Sequence, residues 1–265
     1  MHFNHLLYEI QNSVCTITLN RPDVYNALRP ELIREIGLAM KYAGDDDTVR
    51  VVVLTGAGDK AFCSGADLKE GVSQLQDSGS LALGDSLRTG YNPMIKAIRS
   101  LPKPVIARVN GVAAGAGCSL ALACDVIIAA EEAYLSQIFI NIGLMPDAGS
   151  TFFLPRLVGP LKAFELCSTG RRVYGREAEA LGLVSRAVPA ADLDQAVNEA
   201  VAYYANAPTL AIGSMKQVLN QSLYSDLEHM LEEEAGYQDA LGQSHDAAEG
   251  IMAFLSKRKA VFKGK

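Results

Sequence analysis

Tryptophan is absent from the 265 residues, and the four histidines (His2, His5, His229, His245) all lie towards the chain ends. There is no H-E-x-x-H, no G-x-S-x-G, no G-x-x-x-x-G-K-[ST] and no C-x-x-C. Metal-assisted hydrolysis, Ser-His-Asp catalysis and P-loop chemistry are thereby disfavoured. The formal net charge is −6, with neither a basic stripe nor interleaved aromatics, so nucleic acid is not an expected partner. Apolar runs such as 105–109 and 126–130 are too short to span a bilayer, and no membrane association is expected. Five cysteines without close pairing, and no signal-peptide pattern, point to a reducing compartment, the cytoplasm.

What is present is an alternation of apolar strands with glycine loops and helices. Residues 14–19 alternate like a strand and run into the turn Asn20-Arg21-Pro22-Asp23. Asn26 precedes a helical pattern carrying Leu28, Leu32, Ile36 and Met40 on one face, and is read as its N-cap. The apolar runs 51–55 and 104–109 read as buried strands. Each ends in small residues: Gly56-Ala57-Gly58 and then Ser64-Gly65-Ala66-Asp67 after the first, Gly111 through Gly117 after the second. A helix over 119–123, a strand over 125–130, an extended stretch over 134–140 and a helix over 151–157 follow. The last strand is 183–188. Residues 70–92 have weak periodicity, with room for one or two helical turns. From 192 the chain reads as helical, so residues 1–191 form the core and 192–265 a helical C-terminal region.

Glycine loops at strand ends let backbone N–H groups face a ligand with no side chain between. One such loop is often only a tight turn. Two of them suggest a pair of donors converging on one oxygen, an oxyanion hole.

At this point the chain resembles the crotonase (enoyl-CoA hydratase/isomerase) superfamily. The resemblance is carried by Asn20-Arg21-Pro22, Asn26-Ala27-Leu28, Val53-Leu54-Thr55-Gly56 and Phe62-Cys63-Ser64-Gly65-Ala66-Asp67-Leu68. It continues through Asn110-Gly111, Gly115-Ala116-Gly117, Cys124-Asp125, Leu181-Gly182-Leu183-Val184 and the stretch from Ala253 to Arg258. It implies an α/β fold: a spiral of ββα turns with two roughly perpendicular sheets and a helical region used in trimer assembly. It also implies an acyl-coenzyme A substrate, the coenzyme being part of the substrate and no separate cofactor or metal being needed. A homo-oligomer, trimer or dimer of trimers, is the implied assembly.

The resemblance places the thioester carbonyl on the N–H groups of Ala66 and Ala116, beside Gly115. The adenine end would lie near Phe62, Cys63 and Ser64, with Asp67 and Leu68 completing that loop. Asp67 is also read as a cap for the helix after it. Phe254 and Lys257 of a neighbouring subunit would close the site. A lysine that commonly follows the Asn-Arg-Pro-Asp stretch is Val24 here, which shifts phosphate contacts to other basic residues such as Arg21.

Hydratases that resemble this chain use two glutamates, whose positions are Ser119 and Phe139 here. Superfamily isomerases that move carbon–carbon double bonds carry an aspartate where this chain has Asp147. The stretch from Gly143 to Arg156 most resembles the ring isomerase of phenylacetate degradation. Asp147 is therefore the expected base, with helix capping as its alternative role. Phe139, Leu144 and Met145 form an apolar wall that raises its basicity, or are ordinary core. The expected activity is an acyl-CoA double-bond isomerase. A hydratase of low efficiency and a non-catalytic acyl-CoA-binding protein are the alternatives.

Overall fold

The computed structural model describes residues 3–69 and 83–265. The part of the irregular stretch at 70–82 lies outside the described residues. Its remainder is helical: a turn at Leu83–Ser86, a π-helical turn at Leu87–Tyr91 and helix α2 over Asn92–Ser100.

Two sheets are built by one recurring unit. Strands β1 (Leu6–Gln11), β2 (Val14–Leu19), β3 (Val51–Gly56), β5 (Val105–Val109), β7 (Val126–Ala130) and β10 (Arg186–Val188) form the larger sheet in the order β1-β2-β3-β5-β7-β10. Strands β4 (Ala61–Cys63), β6 (Val112–Ala114), β8 (Tyr134–Ser136) and β9 (Val173–Tyr174) form the smaller one. Thus β3–β4, β5–β6 and β7–β8 each give one strand to each sheet. Among the described residues the β1–β2 and β8–β9 pairs are antiparallel and the other strand pairs parallel. Parallel strands covered on both faces need apolar side chains throughout, which is why β3 is buried from Val51 to Gly56.

The first helix, α1, spans Pro30–Asp45 and buries Leu32, Ile36 and Met40 as the periodicity predicts. Its N-terminus differs from expectation. Arg29 is the N-cap residue, Pro30 occupies the first turn, and Asn26 lies four residues upstream with φ 56°. Asn26 is fully buried and holds loops instead. Its Oδ1 accepts from the Arg21 N–H, and its Nδ2 donates to the carbonyls of Ala57 and Ala61. Asn26→Ala removes three bonds to backbone groups, one of them buried and two partly buried, so we expect a loss of about 2–4 kcal/mol in urea unfolding. A helix cap would cost only about 1 kcal/mol.

Helix α3 (Ala116–Leu122) begins three residues earlier than the sequence pattern suggests. The stretch 134–140, expected to be extended throughout, is strand only over Tyr134–Ser136, and a 3-10 turn over Ile138–Ile142 follows. Helix α4 (Ser150–Thr169) runs well past 157, with a break at Gly159, and α5 (Gly175–Ala180) follows β9. After β10 come α6 (Leu193–Ala205), α7 (Thr209–Ser222), α8 (Leu227–Gly242) and α9 (His245–Leu255). Helix α6 packs on β3, β5 and β7 and adds Leu193, Ala196 and Val197 to the core. No helix among the described residues is long and apolar enough to cross a membrane.

Candidate active site

The two glycine loops meet where the sheets adjoin. Leu28 forms an isolated parallel bridge with Ala66: the Leu28 N–H donates to the Gly65 carbonyl at 2.7 Å and the Asp67 N–H to the Leu28 carbonyl at 2.8 Å. In such a bridge the flanked residue turns its own N–H the other way. For Ala66 that way leads to the second loop, because β4 pairs with β6. Gly65 has φ 99°, and a Cβ there would lie 2.8 Å from the Ala114 carbonyl oxygen and 3.4 Å from the Ala116 nitrogen. The close approach and the backbone angle both call for glycine.

Ala116 opens helix α3, so its N–H has no intrahelical acceptor. Among the described residues neither the Ala66 nor the Ala116 N–H meets an acceptor, whereas those of Ser64, Asp67 and Gly115 do. Both N–H groups are thus free, on loops that approach each other closely at Gly65.

Asp147 is tied to α3 through its backbone. Its backbone carbonyl accepts from the Ser119 Oγ–H at 3.0 Å and the Ser150 N–H at 3.0 Å. The side chain does not cap a helix: Gly149 is the N-cap residue of α4 and no side-chain cap bond is made there. Asp147 Oδ1 is buried without a hydrogen-bond partner. Burial alone pushes its carboxyl up to about 6, with no charged neighbour contributing. Such a group is a carboxylate at neutral pH yet basic enough to take a proton.

The residues expected to form an apolar wall differ in burial. Phe139 is buried, and a Cβ at Gly115 would lie 3.8 Å from the Phe139 ring. The Leu144 N–H bonds the Phe139 carbonyl, and Leu144 packs on the core. Met145 is 69% exposed and forms no wall within this chain.

Three of the coenzyme-binding assignments need correction. Phe62 and Cys63 are 0% exposed, because the three-residue strand β4 is covered on both faces. They are core residues with no surface to offer an adenine, while Ser64 is partly exposed. Burial pushes the Cys63 and Cys118 thiols up to about 12, so neither is a nucleophile. Arg21 is not a free phosphate ligand. Its guanidinium donates to the Ala27 carbonyl and pairs with Asp67 Oδ2 at 2.9 Å. The pair ties the first loop to the Asn-Arg-Pro stretch, and Asp67 Oδ1 also accepts from the Lys69 N–H at 3.4 Å. Asp67 therefore latches its own loop. Leu68 is exposed beside it. Phe254 is 82% exposed at the end of α9, and Lys257 just beyond it is exposed as well.

Three side chains hold the site in roles that the sequence does not assign to them. Asn110 donates to the carbonyls of Gly56 and Gly58 and fixes the end of β3, a role behind the Asn-Gly turn pair that the sequence shows after β5. Ser119 and Ser150 meet hydroxyl to hydroxyl at 2.7 Å across 31 residues, which no local pattern reveals. Among the described residues no group of three or more His, Cys, Asp or Glu side chains could hold a metal.

Comparison with known proteins agrees with this architecture. The enoyl-CoA hydratase/isomerase family matches residues 9–265. A probable enoyl-CoA hydratase of Rhodobacter capsulatus is 42% identical over the whole of both chains. The 1,2-epoxyphenylacetyl-CoA isomerase of Escherichia coli is 38% identical over 98% of each. A crystal structure of a putative enoyl-CoA hydratase/isomerase from Mycobacterium abscessus superposes with a TM-score of 0.92 at 35% identity, covering 98% of this chain and 100% of that one.

Proposed function

The chain belongs to the enoyl-CoA hydratase/isomerase family, and from that membership we propose that it shifts a carbon–carbon double bond in an acyl-CoA thioester, with Asp147 as base. The observation that carries this reading is a carboxylate with an unpartnered, buried oxygen, tethered to the helix that begins at Ala116. In this reading the Asp147 carboxylate takes the proton from C2 of a 3-enoyl-CoA. The electron pair moves towards the thioester carbonyl, whose oxygen becomes negative. The N–H groups of Ala66 and Ala116 hold that oxygen, an interaction worth about 10²–10³ in rate per donor. The protonated Asp147 then delivers the proton to C4, leaving the double bond between C2 and C3. One carboxylate does both jobs, so no second one is needed.

Hydration asks for more. Water must be held and activated while a second group handles a proton. Ser119 and Phe139 stand where the glutamates of hydratases would be, and both are buried and un-ionisable at neutral pH. A ring-derived CoA ester like that of the Escherichia coli relative is a second candidate substrate for the same proton shuttle. The exposed Phe254 and Lys257 suit a site closed by a neighbouring copy.

Purified protein given a 3-enoyl-CoA and a ring-derived CoA ester should turn over at least one, with the rearranged isomer identified as product. Crotonyl-CoA should lose its enoyl absorbance at a rate below about 1% of that turnover. Efficient hydration of crotonyl-CoA overturns the isomerase reading. Tight coenzyme A binding without turnover of any of the three esters supports a binding protein instead.

A further inference from the structure

Ser119 and Ser150 are both 0% exposed and belong to different helices, α3 and α4. Their oxygens are 2.7 Å apart. Ser119 Oγ also lies 3.0 Å from the Asp147 carbonyl oxygen and 3.3 Å from that of Gly115. A hydroxyl has one hydrogen to give, so the consistent arrangement is a relay. The Ser150 O–H donates to Ser119 Oγ, and the Ser119 O–H donates to the Asp147 carbonyl.

The position of Asp147 is not fixed by its own side chain, since Oδ1 has no partner. The turn that carries it is strained as well. Ala148 has φ 49° and Gly149 φ 88°, and a left-handed alanine costs roughly 1–2 kcal/mol. Such a turn persists only where its surroundings hold it. The described contacts that hold it at Asp147 are the Ser119 hydroxyl and the Ser150 N–H. Ser119 is three residues beyond Ala116 on one helical turn, so one rigid element carries both an oxyanion donor and the handle on the base.

We propose that Ser119 and Ser150 are a positioning pair that fixes the Asp147 carboxylate relative to the Ala116 N–H, so that base and oxyanion donor keep one separation through the proton transfer. The inference rests on Asp147 being the base. Neither serine touches substrate. Each acts through the Asp147 carbonyl.

The test compares Ser119→Ala, Ser150→Ala, the double variant and Asp147→Asn on the isomerisable CoA ester. Ser119→Ala should lower kcat about 10- to 100-fold with KM within about twofold, because geometry at the reacting atoms changes while the coenzyme contacts do not. Ser150→Ala should lower kcat less, since Ser119 can still donate to Asp147. The double variant should be no worse than Ser119→Ala within about twofold, the mark of two groups acting as one unit. A Ser119→Ala protein with kcat within twofold of wild type, beside an inactive Asp147→Asn, overturns the pair and leaves the base intact. An active Asp147→Asn overturns the base, and the pair with it. Should Ser119→Ala fail to fold by circular dichroism, Ser150→Ala decides: an unchanged kcat overturns the proposal and a selective kcat loss supports it.

Discussion

Replacing Asp147 by asparagine should lower isomerase kcat by about 10³-fold or more while raising the melting temperature. The loss of rate follows from the chemistry: an amide cannot take a proton from carbon, and positioned acid–base catalysis contributes about 10²–10⁴-fold. The gain in stability follows from the carboxylate's surroundings. Its ordinary value is 3.8 and burial moves it to about 6. At pH 7–8 the folded protein therefore holds a charge that the unfolded chain solvates better. The full difference corresponds to about 3 kcal/mol, and partial solvent access reduces it to about 1–2 kcal/mol. Asparagine has nearly the same shape, and the loss of the buried charge is its main difference from aspartate there. That gain corresponds to a rise of about 2–4 °C for a chain of this size. A catalytic residue whose removal costs activity and adds stability is strained for its task. A structural cap would show the reverse on both counts.

The pH dependence of the same pair of proteins fixes the sign. Between about pH 4 and 6 the folded protein binds a proton at Asp147 that the unfolded chain releases. The wild type therefore loses stability relative to Asp147→Asn as pH rises through that window, and the gap is constant above it. Activity runs oppositely: kcat/KM of the wild type should fall below about pH 6, where the base becomes protonated. Thermal melts and rate profiles over pH 4–8 check both. A gap that stays flat across the window removes the buried charge from the account.

The parts of this arrangement that were legible in the sequence are those set by local pattern. Strands β3 and β7 are near-continuous apolar runs because parallel strands are covered on both faces, β5 is one but for Arg108, which pairs with Asp194, and α1 shows its buried stripe at helical spacing. The smaller sheet was harder to see, since strands of two or three residues have no measurable period. Asn26 read as a helix cap because asparagine before an apolar stripe usually is one; three loop contacts over up to 35 residues claimed it instead. Phe62 and Arg21 were assigned to ligand for want of knowledge of their neighbours, which are the core and Asp67. Asp147 and the glycine loops were identifiable as residues. What joins them, the Ser119–Ser150 contact, exists only once α3 and α4 pack.

Gly117→Ala should cut isomerase kcat by about 10²-fold and destabilise the fold by about 1–3 kcal/mol, against the expectation of helix propensity. Gly117 is the second residue of α3, and alanine in a helix is favoured over glycine by about 1 kcal/mol. Packing decides the other way. A Cβ at Gly117 would lie 2.2 Å from the Cys63 carbonyl oxygen, 2.7 Å from its carbonyl carbon and 2.8 Å from its Cβ. Two of those three atoms are backbone, so no rotamer relieves the overlap, and overpacking of this kind costs typically 1–3 kcal/mol. The relief available is to move the start of α3 away from β4, carrying the Ala116 N–H from the Ala66 N–H. A shift near 1 Å at reacting atoms costs about 10²-fold. Gly37→Ala in α1 is the matched control, for nothing lies within 4 Å of a Cβ there. That variant should keep full activity and gain up to about 1 kcal/mol in urea unfolding. If Gly117→Ala keeps activity within twofold of wild type, close contact between β4 and α3 is not what sets the two donors. If it is stable but slow, the glycine at this position is there for the spacing of the donors and not for the helix.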